Sequence, residues 1–318
     1  MKWFTTFTAV IGASAVAAIS AVSTINGCRA VALIDPPPKL TQFAPTRYVN
    51  VNGDQIAYRV LGSKKGNPVI FLANFRATMD IADPLLFNYI AQFRPVILFD
   101  NAGVGHSTGE VADSIATQGD TAVAFLKAIR VTKVNLLGFS MGGGVAQHIA
   151  INYPELVEKA VIAGSIVGNG PGIELATDAT FDIARQPTVP QEQGLGLFFY
   201  PSNTSTAAAT DYASRITERN VPGENRTNQV QEPGTSRHLK AILDFTRNST
   251  YLEQAKRIKA PLFITSGTLD VLAPSSGDFV LQQRVPGSYL QIFPDSGHGH
   301  LFQFPKTFSE LMQKFLGA

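Results

Sequence analysis

From residue 46 onward the chain alternates short apolar runs with stretches of helical periodicity. The runs are Val69-Ile70-Phe71-Leu72, Val96-Ile97-Leu98-Phe99, Val134-Asn135-Leu136-Leu137, Ala160-Val161-Ile162-Ala163, Leu262-Phe263-Ile264 and Tyr289-Leu290-Gln291-Ile292-Phe293. Most are apolar at successive rather than alternate positions, the pattern of strands buried on both faces of a parallel sheet under helices. Ahead of them, Arg47–Val51 and residues 55–61 flank Asn52-Gly53, a turn pair that accepts positive φ and closes a hairpin. Residues 117–129 carry Val123, Leu126 and Ile129 on one helical face, and 142–152 and 306–316 read as further helices. The alternation breaks at about 165–248, where Thr, Asn, Gln, Pro and Gly are frequent and helical pieces are expected near 207–219 and 236–246. That stretch predicts an insertion over one edge of the sheet.

The N-terminus follows a different pattern. No charged residue or His lies between Trp3 and Cys28, with Lys2 before and Arg29 after. A short basic start and a small, apolar core predict an export signal, and the length also suits an anchor of about twenty residues. Ala30-Val31-Ala32 offers a small-x-small cleavage site, whereas Ile25-Asn26-Gly27-Cys28 is similar to a lipobox that would lipidate Cys28 and tether the protein to a membrane. The expected destination is secreted, periplasmic or membrane-anchored. Pro36-Pro37-Pro38 then predicts a stiff linker over 33–45, leaving 46–318 as the globular domain. Sequons stand at Asn203, Asn225 and Asn248 and matter only where exported proteins are glycosylated.

Composition narrows the classes. Hydrophobic residues make up 45% and charged residues 16%, which excludes a disordered chain. A net charge of +2 points to no nucleic-acid partner. A single Cys excludes an intramolecular disulfide framework and a Cys-cluster metal site.

The chemistry concentrates after three strands. Val134–Leu137 leads into Gly138-Phe139-Ser140-Met141-Gly142 and a helix, so G-x-S-x-G stands in its strand–turn–helix setting. The turn leaves no room for side chains at its glycines, and the serine is exposed in a strained conformation. A serine nucleophile needs a base, and the base needs an orienting carboxylate. Asp270 lies just past the strand over 261–266; a plain helix cap for the segment at Pro274 is its other reading. His298 follows the last strand in Ser296-Gly297-His298, with His300 as a rival base; His106, His148 and His238 fit less well.

With these motifs and Asp100-x-x-Gly103-x-Gly105-x-Ser107, residues 46–318 resemble the α/β-hydrolase superfamily, in its capped esterase- or lipase-like branch. The resemblance implies an eight-stranded, mostly parallel sheet with a helical cap after strand six, and a Ser140–His298–Asp270 triad without metal or organic cofactor. It also implies an oxyanion hole from the N–H groups of Phe75 and Met141. Leu72-Ala73-Asn74-Phe75-Arg76 departs from the family, which usually has His-Gly where Ala73-Asn74 stands. Asn74 is expected to replace the glycine at positive φ. Arg76 either binds an anionic substrate or pairs with Asp80, the latter being preferred. In the cap, Leu195, Leu197, Phe198, Phe199 and Tyr200 form an apolar run; Phe198 and Phe199 are taken to line a pocket for the apolar portion of a small ester.

The reading is a carboxylic ester hydrolase. Perhydrolysis of the haloperoxidase kind and acyl transfer use the same triad, and a non-catalytic binding protein on this scaffold is the alternative of another class.

Overall fold

Every apolar run expected as a strand is one in the computed structural model, which describes residues 32–62 and 66–317. The expected targeting segment through residue 31, Cys28 included, lies outside the described residues. In chain order the elements are β1 (Arg47–Val51), β2 (Asp54–Leu61), β3 (Val69–Leu72), α1 (Pro84–Ile90), β4 (Val96–Phe99), α2 (Ile115–Ala128), β5 (Val134–Phe139), α3 (Met141–Asn152) and β6 (Val157–Ala163). They continue with α4 (Asp178–Ala184), α5 (Gln191–Phe198), α6 (Asn203–Arg215), α7 (Gly234–Thr246), α8 (Ser249–Gln254), β7 (Leu262–Gly267), α9 (Ser275–Arg284), β8 (Tyr289–Phe293), α10 (His300–Gln303) and α11 (Pro305–Leu316).

One eight-stranded sheet runs β1-β2-β4-β3-β5-β6-β7-β8. The hairpin strand β2 is antiparallel to β1 and β4, and every later pairing is parallel. Asn52 and Gly53 close the hairpin at φ 54° and 101°. Successive strand residues serve opposite faces. Ile70, Leu72 and Leu136 join the layer filled by α2 and α3, while Val69, Phe71, Leu137 and Phe139 join the layer filled by α1 and α11. Burial on both faces explains why these strands are apolar throughout, each large side chain contributing roughly 1.5–3 kcal/mol.

The insertion between β6 and β7 holds α4 to α8 and forms the cap. Buried charge ties it to the core. Asp80 Oδ1 accepts from Arg59 Nη2 at 2.7 Å, and Asp80 Oδ2 accepts from the cap's Thr227 N at 2.7 Å. Burial pushes the Asp80 carboxyl up, but Arg59 and Thr227 outweigh it and hold the group at about 2. Asp83 accepts from Arg215 of α6 through Nε at 3.0 Å and Nη2 at 2.7 Å.

Residues 33–45, expected as a linker, lie against the domain. Asn88 Oδ1 of α1 accepts from the N–H groups of Leu40 and Thr41, and Lys306 of α11 donates to Asp35 at 2.9 Å. In the Asp100 loop, Asp100 accepts from Met79 N at 2.7 Å and His106 N at 2.9 Å. Gly105 has φ 53°, and a Cβ there would meet Asp100 Oδ2 at 2.2 Å, so the glycine makes this bracing fit.

Candidate active site

The site grows from the sharp turn between β5 and α3. Ser140 has φ 58° and ψ −120°, a conformation L-residues avoid, and its N–H donates to Ala163 O at 2.9 Å. The flanking glycines are required by space: a Cβ at Gly138 would lie 2.4 Å from Gly142 O, and one at Gly142 would lie 1.9 Å from Leu72 O. The turn therefore presses β5, α3 and the end of β3 together. Its helix start aims N–H groups and the positive end of the dipole at the serine.

His298 follows β8 and is 1% exposed. Its Nδ1 lies 2.7 Å from Asp270 Oδ2. Asp270 Oδ1 accepts from Leu272 N at 2.9 Å and Ala273 N at 2.7 Å. One oxygen thus braces the local turn and the other meets the histidine; Asp270 does not cap α9, which starts after Pro274 with no side-chain cap. With Nδ1 committed, Nε2 is the ring nitrogen left for the cavity that Ser140 and His298 both line. Gly164, at φ 47°, makes room for the pair: a Cβ there would stand 3.1 Å from Asp270 Oδ2 and 3.2 Å from His298 Nδ1. Phe139 and Phe198 pack on the imidazole with ring centroids 4.7 and 5.3 Å away. The cap closes on the same loop, since Gly299 N donates to Phe198 O at 2.6 Å.

His300 lies behind this pair, outside the cavity. Its Nε2 is 2.8 Å from Thr265 Oγ1 and its Nδ1 is 3.1 Å from His298 O. Burial, with the neighbouring His298, depresses it to about 3, so it stays neutral. His148 is turned away to Asp120 on the outer face, and His106 to Asp80.

The loop after β3 corrects two expectations. Asn74 is not at positive φ; Arg76 is, at φ 62°. Ala77 N donates to Asn74 O at 3.1 Å, closing a four-residue turn whose third position carries the unusual φ. Asn74 lines the cavity and its Nδ2 donates to Phe75 O at 3.3 Å, so it braces the loop through its side chain rather than standing in for glycine. A left-handed arginine costs about 1–2 kcal/mol, and its contacts offset that. Arg76 does not pair with Asp80, whose oxygens are already taken by Arg59, His106 and Thr227. Its guanidinium instead donates to the carbonyls of Val230 at 2.8 Å, Gln186 at 2.8 Å, Pro187 at 3.2 Å and Ala184 at 3.4 Å, all in the cap. Among the described residues the N–H groups of Phe75 and Met141 meet no acceptor.

The cavity measures about 370 Å³. Its walls are largely apolar, with Phe71, Phe75, Ile166, Leu195, Leu197, Phe198, Ile242 and Phe302 among them. Among the described residues, Arg76 and His298 are the only ionisable lining residues besides Tyr212. Phe199, expected in the wall, is instead 5% exposed in the core and packs on Tyr212 at 5.6 Å between ring centroids. The chain leaves α5 for extended backbone at Phe199, which turns its side chain away from that of Phe198. Gly164 and His238 were not singled out for this site. The glycine after β6 is a weak signal, and nothing local marks a histidine that lies 162 residues from its partner Arg76.

The comparisons agree with this geometry. A model of the alpha/beta hydrolase fold matches residues 67–305. Serine hydrolase BPHL of Homo sapiens is 26% identical over 274 residues, covering 84% of this chain and 85% of that protein. The solved alpha/beta hydrolase fold protein from Chitinophaga pinensis superposes with a TM-score of 0.78 at 28% identity, covering 87% of this chain and 98% of its own. The enol-lactonase from Burkholderia xenovorans LB400 shares the fold at a TM-score of 0.68 and 20% identity, over 86% of this chain and all (100%) of its own. The chain belongs to the α/β-hydrolase fold family.

Proposed function

We propose that this protein is a serine hydrolase that cleaves carboxylic esters of small, uncharged substrates through an acyl-enzyme on Ser140. The observation that carries the reading is the cavity that strained Ser140 and His298 both line, His298 being held by buried Asp270. His298 Nε2 takes the Ser140 proton as Oγ attacks the ester carbonyl. The N–H groups of Phe75 and Met141 receive the oxyanion. The tetrahedral intermediate collapses, His298 hands the proton to the leaving alkoxide, and the acyl group stays on Oγ. Water, deprotonated by His298, attacks the acyl carbon and releases acid and free serine. Asp270 keeps the imidazole in the right tautomer and stabilises its charged form in both halves.

Substrate charge follows from the walls. Arg76 is 3% exposed and spent on carbonyls, so among the described residues no free cation lines the cavity to meet a substrate carboxylate. Burying an unpaired carboxylate costs several kcal/mol, which predicts that neutral p-nitrophenyl butyrate exceeds the mono-p-nitrophenyl ester of glutaric acid in kcat/KM by at least about tenfold. Equal or better turnover of the acidic ester would overturn this specificity.

The N-terminal pattern supports export of the chain. Mass spectrometry of the native protein should find a start after Cys28 or Ala32, or at Cys28 carrying lipid. Retention of Met1 in a soluble intracellular protein would contradict export.

A further inference from the structure

We propose that His238, reaching in from cap helix α7, is a positioning residue for the oxyanion loop, holding the Phe75–Arg76 peptide so that Phe75 N–H faces the reacting carbonyl. The inference rests on the reading of Ser140 as nucleophile and Phe75 N–H as oxyanion donor. That peptide is gripped at both ends. Its N–H, from Arg76, donates to His238 Nδ1 at 3.3 Å, and its carbonyl, on Phe75, accepts from Asn74 Nδ2 at 3.3 Å. The grip opposes a local preference, because Arg76 sits at φ 62° and would relax toward negative φ if the peptide rotated. The next carbonyl is also held from the cap, with Val230 N donating to Arg76 O at 2.9 Å.

His238 suits the task. It is 3% exposed, and its ring packs beside that of Phe75 at 6.2 Å between centroids. With Nδ1 accepting, its proton resides on Nε2. Burial and the neighbouring Arg76 charge push it down to about 4, so the accepting lone pair persists at neutral pH. The usual family histidine of this loop is replaced by Ala73, and the brace comes from the cap instead. Cap seating and oxyanion geometry are thereby one structure: α7, the Val230 segment and the 184–187 link all end on residues 75 and 76 or their peptide.

The test compares His238→Asn, whose Oδ1 can take the place of Nδ1, with His238→Leu, which fills the space without an acceptor. Turnover of p-nitrophenyl butyrate and the thermal midpoint are read for both. His238→Leu should lose kcat on the order of tenfold to a hundredfold, the scale of a small misplacement in a preorganised site, with KM little changed. His238→Asn should restore most of it. Asn74→Ala frees the other end of the same peptide without entering the cap, and should give a similar kcat-specific loss that combines less than additively with His238→Leu. Full kcat in His238→Leu, or equal losses in Leu and Asn variants that track a falling thermal midpoint, would overturn the positioning role. Retained turnover in Ser140→Ala would instead sink the underlying nucleophile reading, so the two failures are distinguishable.

Discussion

Ser140 and Arg76 are both non-glycine residues at positive φ, and both line one cavity. Such conformations cost about 1–3 kcal/mol each and persist only where the surroundings over-determine them. For Ser140 the surroundings are glycines, which a sequence displays; for Arg76 they are carbonyls up to 154 residues away, which it does not. Asp278 of α9 is a further residue whose state depends on burial. It is fully buried, with the Ser266 side chain and the Ser165 backbone as its polar neighbours. Burial, with the nearby Asp270 charge, raises its carboxyl well above the ordinary 3.8. The folded chain thus keeps a proton that the unfolded chain releases, so stability falls as pH rises from about 4 toward the folded value. Asp278→Asn removes this penalty. Its gain in thermal midpoint over wild type should be larger at pH 8 than at pH 5; an equal shift at both would show that Asp278 folds ionised.

At the scale of elements, the strands were the most legible, because burial on both faces leaves a run that nothing else in the chain imitates. The core helices α2, α3 and α11 fall within two residues of expectation. The cap was harder to read. A helix over 207–219 is expected, whereas α6 spans Asn203–Arg215, since the Ser202 side chain accepts from Ser205 N and starts the helix earlier. The short helices α4 and α5 carry no fully buried residue, so no apolar stripe announces them. The loop motifs were legible as chemistry because the G-x-S-x-G glycines and the Asp-then-His order are local or sequential. The bracing of the Phe75 loop was not, because His238 and Val230 meet it only after the cap folds over.

Across the whole molecule, the sheet places Ser140, Asp270 and His298 beyond the ends of β5, β7 and β8, and the cap roofs them. The roof is fixed by buried charges that also lie far apart in sequence, Asp80 with Arg219 and Asp83 with Arg215. Removing one partner of such a pair leaves an uncompensated charge, a cost of about 3–5 kcal/mol, so the cap belongs to the core rather than hanging on it. This arrangement keeps the cavity apolar and the oxyanion loop braced, which lets Ser140 act as a nucleophile. The most direct measurement is intact-mass and peptide mapping after treatment with a fluorophosphonate. One adduct per chain is expected on Ser140, absent in Ser140→Ala and formed at least about a thousandfold more slowly in His298→Ala, because the triad acts as a unit. A folded protein that hydrolyses esters yet carries the adduct elsewhere, or labels equally fast without His298, would contradict it.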